Sequence, residues 1–234
     1  MPLAGEGKEN ATPEERRKRQ DVRQRIRERA VEELSEATRL APRNSEYHRE
    51  LGNALNILGD RDEEGLTELR KAVALDPADA LAHKALAAWS DGEEAKAAYR
   101  AAVRLDPNDV YTRIELGTML LNENDANGAF AEFRAAVRID PKNEKAHLRL
   151  GTALEELGQM DKAIEEYRTS VTLGPVLLGP AFSYRVKVLA EALAKVGRRK
   201  EAGQVIRDYL KLEPEGGPTG ESFFRERLQE LDRE

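Results

Sequence analysis

The chain repeats itself with a fixed period. Leu116-Gly117, Ala129, Phe133, Ala136 and Pro141 return 34 residues later as Leu150-Gly151, Ala163, Tyr167, Ser170 and Pro175. A period of this length marks stacked units, none of which can bury its apolar face alone. Six segments of helical character run into a proline, at Pro42, Pro77, Pro107, Pro141, Pro175 and Pro214.

The local signals within one period are those of two helices. Leu116, Leu120 and Leu121 make the apolar stripe of a first helix. Gly117 has no Cβ and lets a second helix approach closely. Asn124-Asp125, and one unit later Gly158-Gln159, break the chain between helices. Ala129, Phe133 and Ala136 form the stripe of the second helix, which Asp140-Pro141 ends because proline cannot continue the hydrogen-bond ladder.

This pattern resembles the tetratricopeptide repeat, whose unit is an antiparallel pair of helices, A then B. The resemblance covers about residues 30–214 and implies an all-α, right-handed superhelical solenoid. Five units are expected, at 45–77, 80–107, 110–141, 144–175 and 183–214. The first carries one extra residue in its turn and Gly65 in place of the usual Ala. The second lacks four residues around Trp89-Ser90-Asp91-Gly92, so its helix A is about one turn short. An apolar insertion within Val176–Phe182 precedes the fifth, where Pro180 suits the first residue of a lengthened helix A.

Both ends read as caps. Residues 1–11 are expected to form a disordered tail. Thr12-Pro13-Glu14-Glu15 is a capping box that starts a long basic helix over residues 12–42, its first two turns projecting into solvent. Val22, Ile26, Ala30, Leu34 and Ala37 give it one narrow apolar stripe, and its end fits helix B of a partial unit. At residues 215–234, Gly216-Gly217-Pro218 is a linker, and a helix bearing Phe223, Phe224, Leu228 and Leu231 covers the last unit.

Composition narrows the function. There is no cysteine, hence no disulfide or thiolate metal site. No apolar run approaches a membrane span and Met1–Gln20 is not a secretory signal, so a cytoplasmic protein is the expectation. His48, His83 and His147 all fall on the fourth position of their units, a packing signature rather than a metal site. Gly174 and Gly179 have the spacing of a phosphate loop, but Pro180-Ala181 follows where Lys and Ser/Thr are needed. No nucleophile elbow is present, and pairs such as Glu155-Glu156 and Glu165-Glu166 sit on helical surfaces. The expectation is a non-enzyme without cofactor or metal.

The net charge of -6 is unevenly placed: residues 1–29 hold nine Lys/Arg against six Asp/Glu, and the remainder 29 against 38. The basic arm reads first as a solvated helix, next as a contact for an acidic partner or another copy. Nucleic acid or an anionic membrane ranks last, for want of interleaved aromatics and a bulky apolar face.

The family resemblance implies that helix A lines a concave groove. By matching position it places there Arg49, Glu50, Asn53, Asn56, Lys84, Tyr111, Glu115, Thr118, Lys145, Arg149, Thr152, Glu155, Tyr184, Lys187 and Glu191. One subgroup holds the carboxylate end of heat-shock chaperones in a clamp of Lys, Asn and Arg. Lys84, Lys145 and Arg149 match it, whereas Ala88 and Glu115 replace its asparagines. The expected function is an interaction scaffold or adaptor that takes a protein or peptide segment, with some preference for an acidic one. Self-assembly through the ends or the basic arm is the alternative.

Overall fold

The computed structural model describes residues 12–59, 62–174, 179–212 and 221–233, and every regular element among them is a helix. The expected tail at 1–11, residues 213–220 with the expected linker, and residues 60–61, 175–178 and 234 lie outside the described residues. Contacts divide the chain into two compact units, Met1–Leu105 and Asp106–Glu234. The first holds α1 (Pro13–Leu40), α2 (Ser45–Leu58), α3 (Asp62–Leu75), α4 (Ala80–Trp89) and α5 (Gly92–Leu105). The second holds α6 (Val110–Asn122), α7 (Ala126–Ile139), α8 (Glu144–Glu156), α9 (Met160–Leu173), α10 (Pro180–Lys195), α11 (Arg199–Leu212) and α12 (Glu221–Arg233).

One four-residue motif builds the junctions between helix pairs. In Asp76-Pro77-Ala78-Asp79, the Asp76 carboxylate accepts from the backbone N–H of Ala78 at 3.0 Å, skipping the proline that has no N–H to give. Asp106 and Asp140 do the same to Asn108 and Lys142. The fourth residue then caps the next helix: Asn44, Asp79, Asp109 and Asn143 each accept a backbone N–H from its first turn. Their own N–H groups return to the carbonyls of Ala41, Asp76, Asp106 and Asp140. Loss of such a cap costs about 1 kcal/mol.

Within a pair, helix B seats its largest residue on the glycine of helix A. A Cβ on Gly117 would lie 2.6 Å from Cε1 of Phe133, and one on Gly151 2.5 Å from Cε1 of Tyr167. Ala129, Phe133 and Ala136 are fully buried there, as are Leu69 and Ala72 in the first unit.

In the first four pairs the fourth position of helix A fastens the pair to the junction before it. His48 Nε2 lies 3.1 Å from the Pro42 carbonyl and its Nδ1 2.5 Å from the Glu68 carboxylate on α3. His147 repeats this with Pro141 and Glu166 at 3.0 and 2.6 Å. Arg113 does so with Pro107 and Glu132 at 2.8 and 2.6 Å. His83 reaches the Pro77 carbonyl at 3.1 Å. The histidines are thus hydrogen-bonded in three separate layers.

Two stretches depart from the regular pair. The capping box of α1 is formed, Thr12 and Glu15 exchanging bonds of 2.8 and 3.2 Å. The projecting part is longer than the two turns read from the sequence. Val22 and Ile26 are 55% and 64% exposed, and continuous burial starts only around Ala30 and Val31. Apolar spacing marks a face but does not say whether anything covers it.

At the other end, α10 begins at Pro180, three residues before the expected unit start at Ser183. Its first turns bury Phe182 and Val186. Phe182 meets Tyr209 at 5.9 Å between ring centres, and Tyr209 meets Phe224 of α12 at 4.5 Å. The Ser183 and Tyr209 hydroxyls lie 2.7 Å apart. An aromatic column therefore ties α12 to the last pair.

Candidate functional site

Helix A of each pair carries the expected groove residues, and the two units differ in how those residues are used. In the first unit they are largely occupied. Arg49 donates from Nη1 to Asp79 at 2.7 Å and from Nε to Glu50 at 3.1 Å, with its side chain only 12% exposed. Burial opposes its charge, but the hydrogen bonds to Glu50 and Asp79 outweigh it and hold the guanidinium firmly protonated. Asn53 accepts from the Trp89 indole at 3.3 Å.

Asn56 does not face a groove at all. It is 4% exposed, its amide lies against Gly65 on α3, and neither side-chain polar atom has a hydrogen-bond partner. Gly65 stands in place of Ala because the Asn56 amide fills the space a Cβ would need. Lys84 is half-buried on α4, which spans ten residues against 14 for α2.

The second unit is more open. Tyr111 on α6 and Tyr184 on α10 are 49% and 52% exposed. Lys145 on α8 donates to Glu115 on α6 at 2.9 Å and lies 5.6 Å from the Tyr111 ring centre. Arg149, one turn further along α8, is half-buried and its Nε is buried without a hydrogen-bond partner. Thr152 returns its hydroxyl to the Leu148 carbonyl.

Beyond Thr152, Glu155 accepts from the Tyr167 hydroxyl at 2.8 Å and from Lys195 at 2.5 Å. Burial pushes the Tyr167 hydroxyl pKa upward, and the Glu155 carboxylate adds to it, so Tyr167 is a donor throughout the ordinary range. Lys187 lies 4.6 Å over the Phe223 ring and 3.9 Å from Glu191. Lys195 was not among the residues placed by family position. It falls one residue past the last groove position of helix A, and only its reach to α8 gives it a part.

The surface carries groups suited to recognition: exposed phenols, one lysine already paired, and one arginine with an unmet donor. Among the described residues no three His, Cys, Asp or Glu side chains gather as metal ligands. No described helix is long and apolar enough to cross a membrane.

Family models described as tetratricopeptide repeat match residues 21–80, 80–144 and 120–171. The chain belongs to the tetratricopeptide repeat family. Its fold is the all-α tetratricopeptide solenoid, and solved structures agree. A crystal structure described as YrrB, a tetratricopeptide protein with an unusual peptide-binding site, is 19% identical with a TM-score of 0.65, covering 79% of this chain and 94% of that one. A MamA crystal structure is 19% identical with a TM-score of 0.60, over 69% and 93% of the two chains. MamA 41-end from Desulfovibrio magneticus RS-1 is 20% identical with a TM-score of 0.63, over 73% and 95%. At this identity the likeness concerns the tetratricopeptide fold alone. No curated protein matches the chain.

Proposed function

We propose that this tetratricopeptide protein is a non-catalytic interaction scaffold that takes a peptide segment on the helix-A face of its second unit, preferring an acidic one. The observation that carries the proposal is Arg149. Its Nε is buried and unsatisfied, whereas Arg49 in the first unit is saturated by carboxylates of its own chain. A half-buried guanidinium with an unmet donor gains from an outside carboxylate that engages the exposed part of the group. Tyr111 and Tyr184 supply exposed aromatic area of the kind enriched at binding surfaces. A groove lined by side chains suits an extended segment.

The test is an array of short acidic peptides and neutral counterparts, probed with the full chain. The acidic set is expected to retain it, and Arg149→Glu to abolish retention with helicity unchanged by circular dichroism. Equal retention of both sets, or binding that survives Arg149→Glu, overturns the reading.

A further inference from the structure

Among the described residues, the front of the first unit holds a helix B with no helix A paired to it. By position, Ala30, Leu34 and Ala37 of α1 correspond to Ala129, Phe133 and Ala136 of α7, the residues a helix B turns to its own helix A. In α7 all three are 0% exposed, in α9 the matching Ala163, Tyr167 and Ser170 are at most 1%, and in α5 Ala95, Tyr99 and Ala102 at most 6%. In α1 all three are only half-buried. The other side of α1 is satisfied: Val31 packs on Leu51 and Leu55 of α2, and Leu34 reaches the edge of the same cluster, which leaves Ala30, Ala37 and the outer side of Leu34 to the vacant face. At 100° per residue the face of Ala30, Leu34 and Ala37 lies about 85° round the helix from Val31 and Thr38, where a helix A would stand beside both α1 and α2. Helices A do stand side by side elsewhere, α4 against α2 and α8 against α6.

The same face continues into the projecting half of α1 as Val22 and Ile26, both exposed. The charges on the two halves are opposed. Residues 16–29 carry eight basic and two acidic side chains, and residues 30–36 carry Glu32, Glu33 and Glu36 with no basic one. We propose that the vacant seat is taken by α1 of a second copy, antiparallel, forming a two-fold dimer centred on Ala30.

That arrangement satisfies both features at once. Antiparallel is the sense in which helix A meets helix B. A two-fold at Ala30 sets Ile26 opposite Leu34 and brings Val22 to the turn of Ala37 and Thr38. It lays Arg25, Arg27 and Arg29 of each copy along the stretch of the other that carries Glu32, Glu33 and Glu36, and alanine at the centre permits close approach. The pairing is reciprocal, so one patch closes the assembly at two copies rather than propagating it. The surface is separate from the helix-A face of the second unit, so either proposal stands without the other.

The chain has no cysteine, which makes the register directly testable. Ala30→Cys in the full chain is expected to form a disulfide-linked dimer under mild oxidation, and Asp21→Cys, away from the centre, is not. By analytical ultracentrifugation the unmodified chain is expected to dimerise with concentration. Ile26→Glu, on an exposed site that leaves the fold intact, is expected to raise the dissociation constant at least about a hundredfold, since both copies lose a buried side chain. A mass that stays monomeric at all concentrations overturns the proposal. So does a dimer indifferent to Ile26→Glu, one in which Asp21→Cys cross-links as well as Ala30→Cys, or a series growing beyond two copies.

Discussion

The Asn56 amide occupies the space that a Cβ on Gly65 would fill, so the two residues are fitted to each other across the first helix pair. Gly65→Ala alone should cost about 1–3 kcal/mol through overpacking, despite the better helix propensity of alanine. Asn56→Ala removes a buried amide with no partner, a group that costs about 1–3 kcal/mol to leave unsatisfied. The double variant should therefore be more stable than Gly65→Ala by more than the single Asn56→Ala gains over the parent. Urea unfolding of all four proteins measures the coupling, and strict additivity would refute the fit.

The two groove arginines should behave oppositely. Arg49→Ala strips hydrogen bonds from Asp79, the cap of α4, and should destabilise the first unit by about 1–3 kcal/mol. Arg149→Ala removes a side chain whose Nε has no partner, and should leave the thermal midpoint unchanged or slightly raised. Differential scanning calorimetry decides, and equal losses would contradict the distinction.

The approach of helix pairs gives a third expectation. Gly117→Ala places a Cβ against the Phe133 ring, which is fully buried and has no room to yield. A loss of about 1–3 kcal/mol is expected, recovered in large part by adding Phe133→Leu. Denaturant midpoints of the single and double variants test it.

Acid should loosen the first unit at a definite place. Burial opposes the charge of Glu68, but the hydrogen bonds from Lys71 and His48 outweigh it and hold the carboxyl below its ordinary range. A carboxylate lowered on folding contributes stability that is present above its unfolded value, near pH 4.3, and lost as pH falls through the folded value. The gap in melting temperature between the parent and Glu68→Gln should be constant above about pH 5 and shrink below about pH 4. A gap independent of pH would remove Glu68 from the acid transition.

Much of the architecture is legible in the sequence because its signals are local. Proline, the Leu-Gly pair and the alanine stripe each act within one unit and need no knowledge of neighbours. Asp140-Pro141 was legible as the end of a helix, but only the hydrogen bonds show that Asp76, Asp106 and Asp140 turn the chain and that Asp79, Asp109 and Asn143 cap the helix that follows. The candidate site was less legible. Arg49 and Arg149 fall on neighbouring groove positions, the fifth and sixth of their units, and the partner that occupies Arg49 includes Asp79, 30 residues away in sequence. Asn56 was misplaced for the same reason: burial depends on the glycine facing it from another helix. Val22 and Ile26 have the spacing of a buried stripe, yet nothing among the described residues covers them.

The Asp-Pro junction has a consequence for how such a chain is made and how it changes. Each reversal is specified by four adjacent residues, and each pair closes over a short stretch of sequence. Contacts of this kind form without long loops having to close first, which favours rapid, unit-by-unit folding as the chain emerges. The same self-sufficiency means that a pair can be duplicated, shortened or lengthened without rewriting its neighbours. The ten-residue α4 and the sixteen-residue α10 record such edits in a chain whose remaining junctions kept their form.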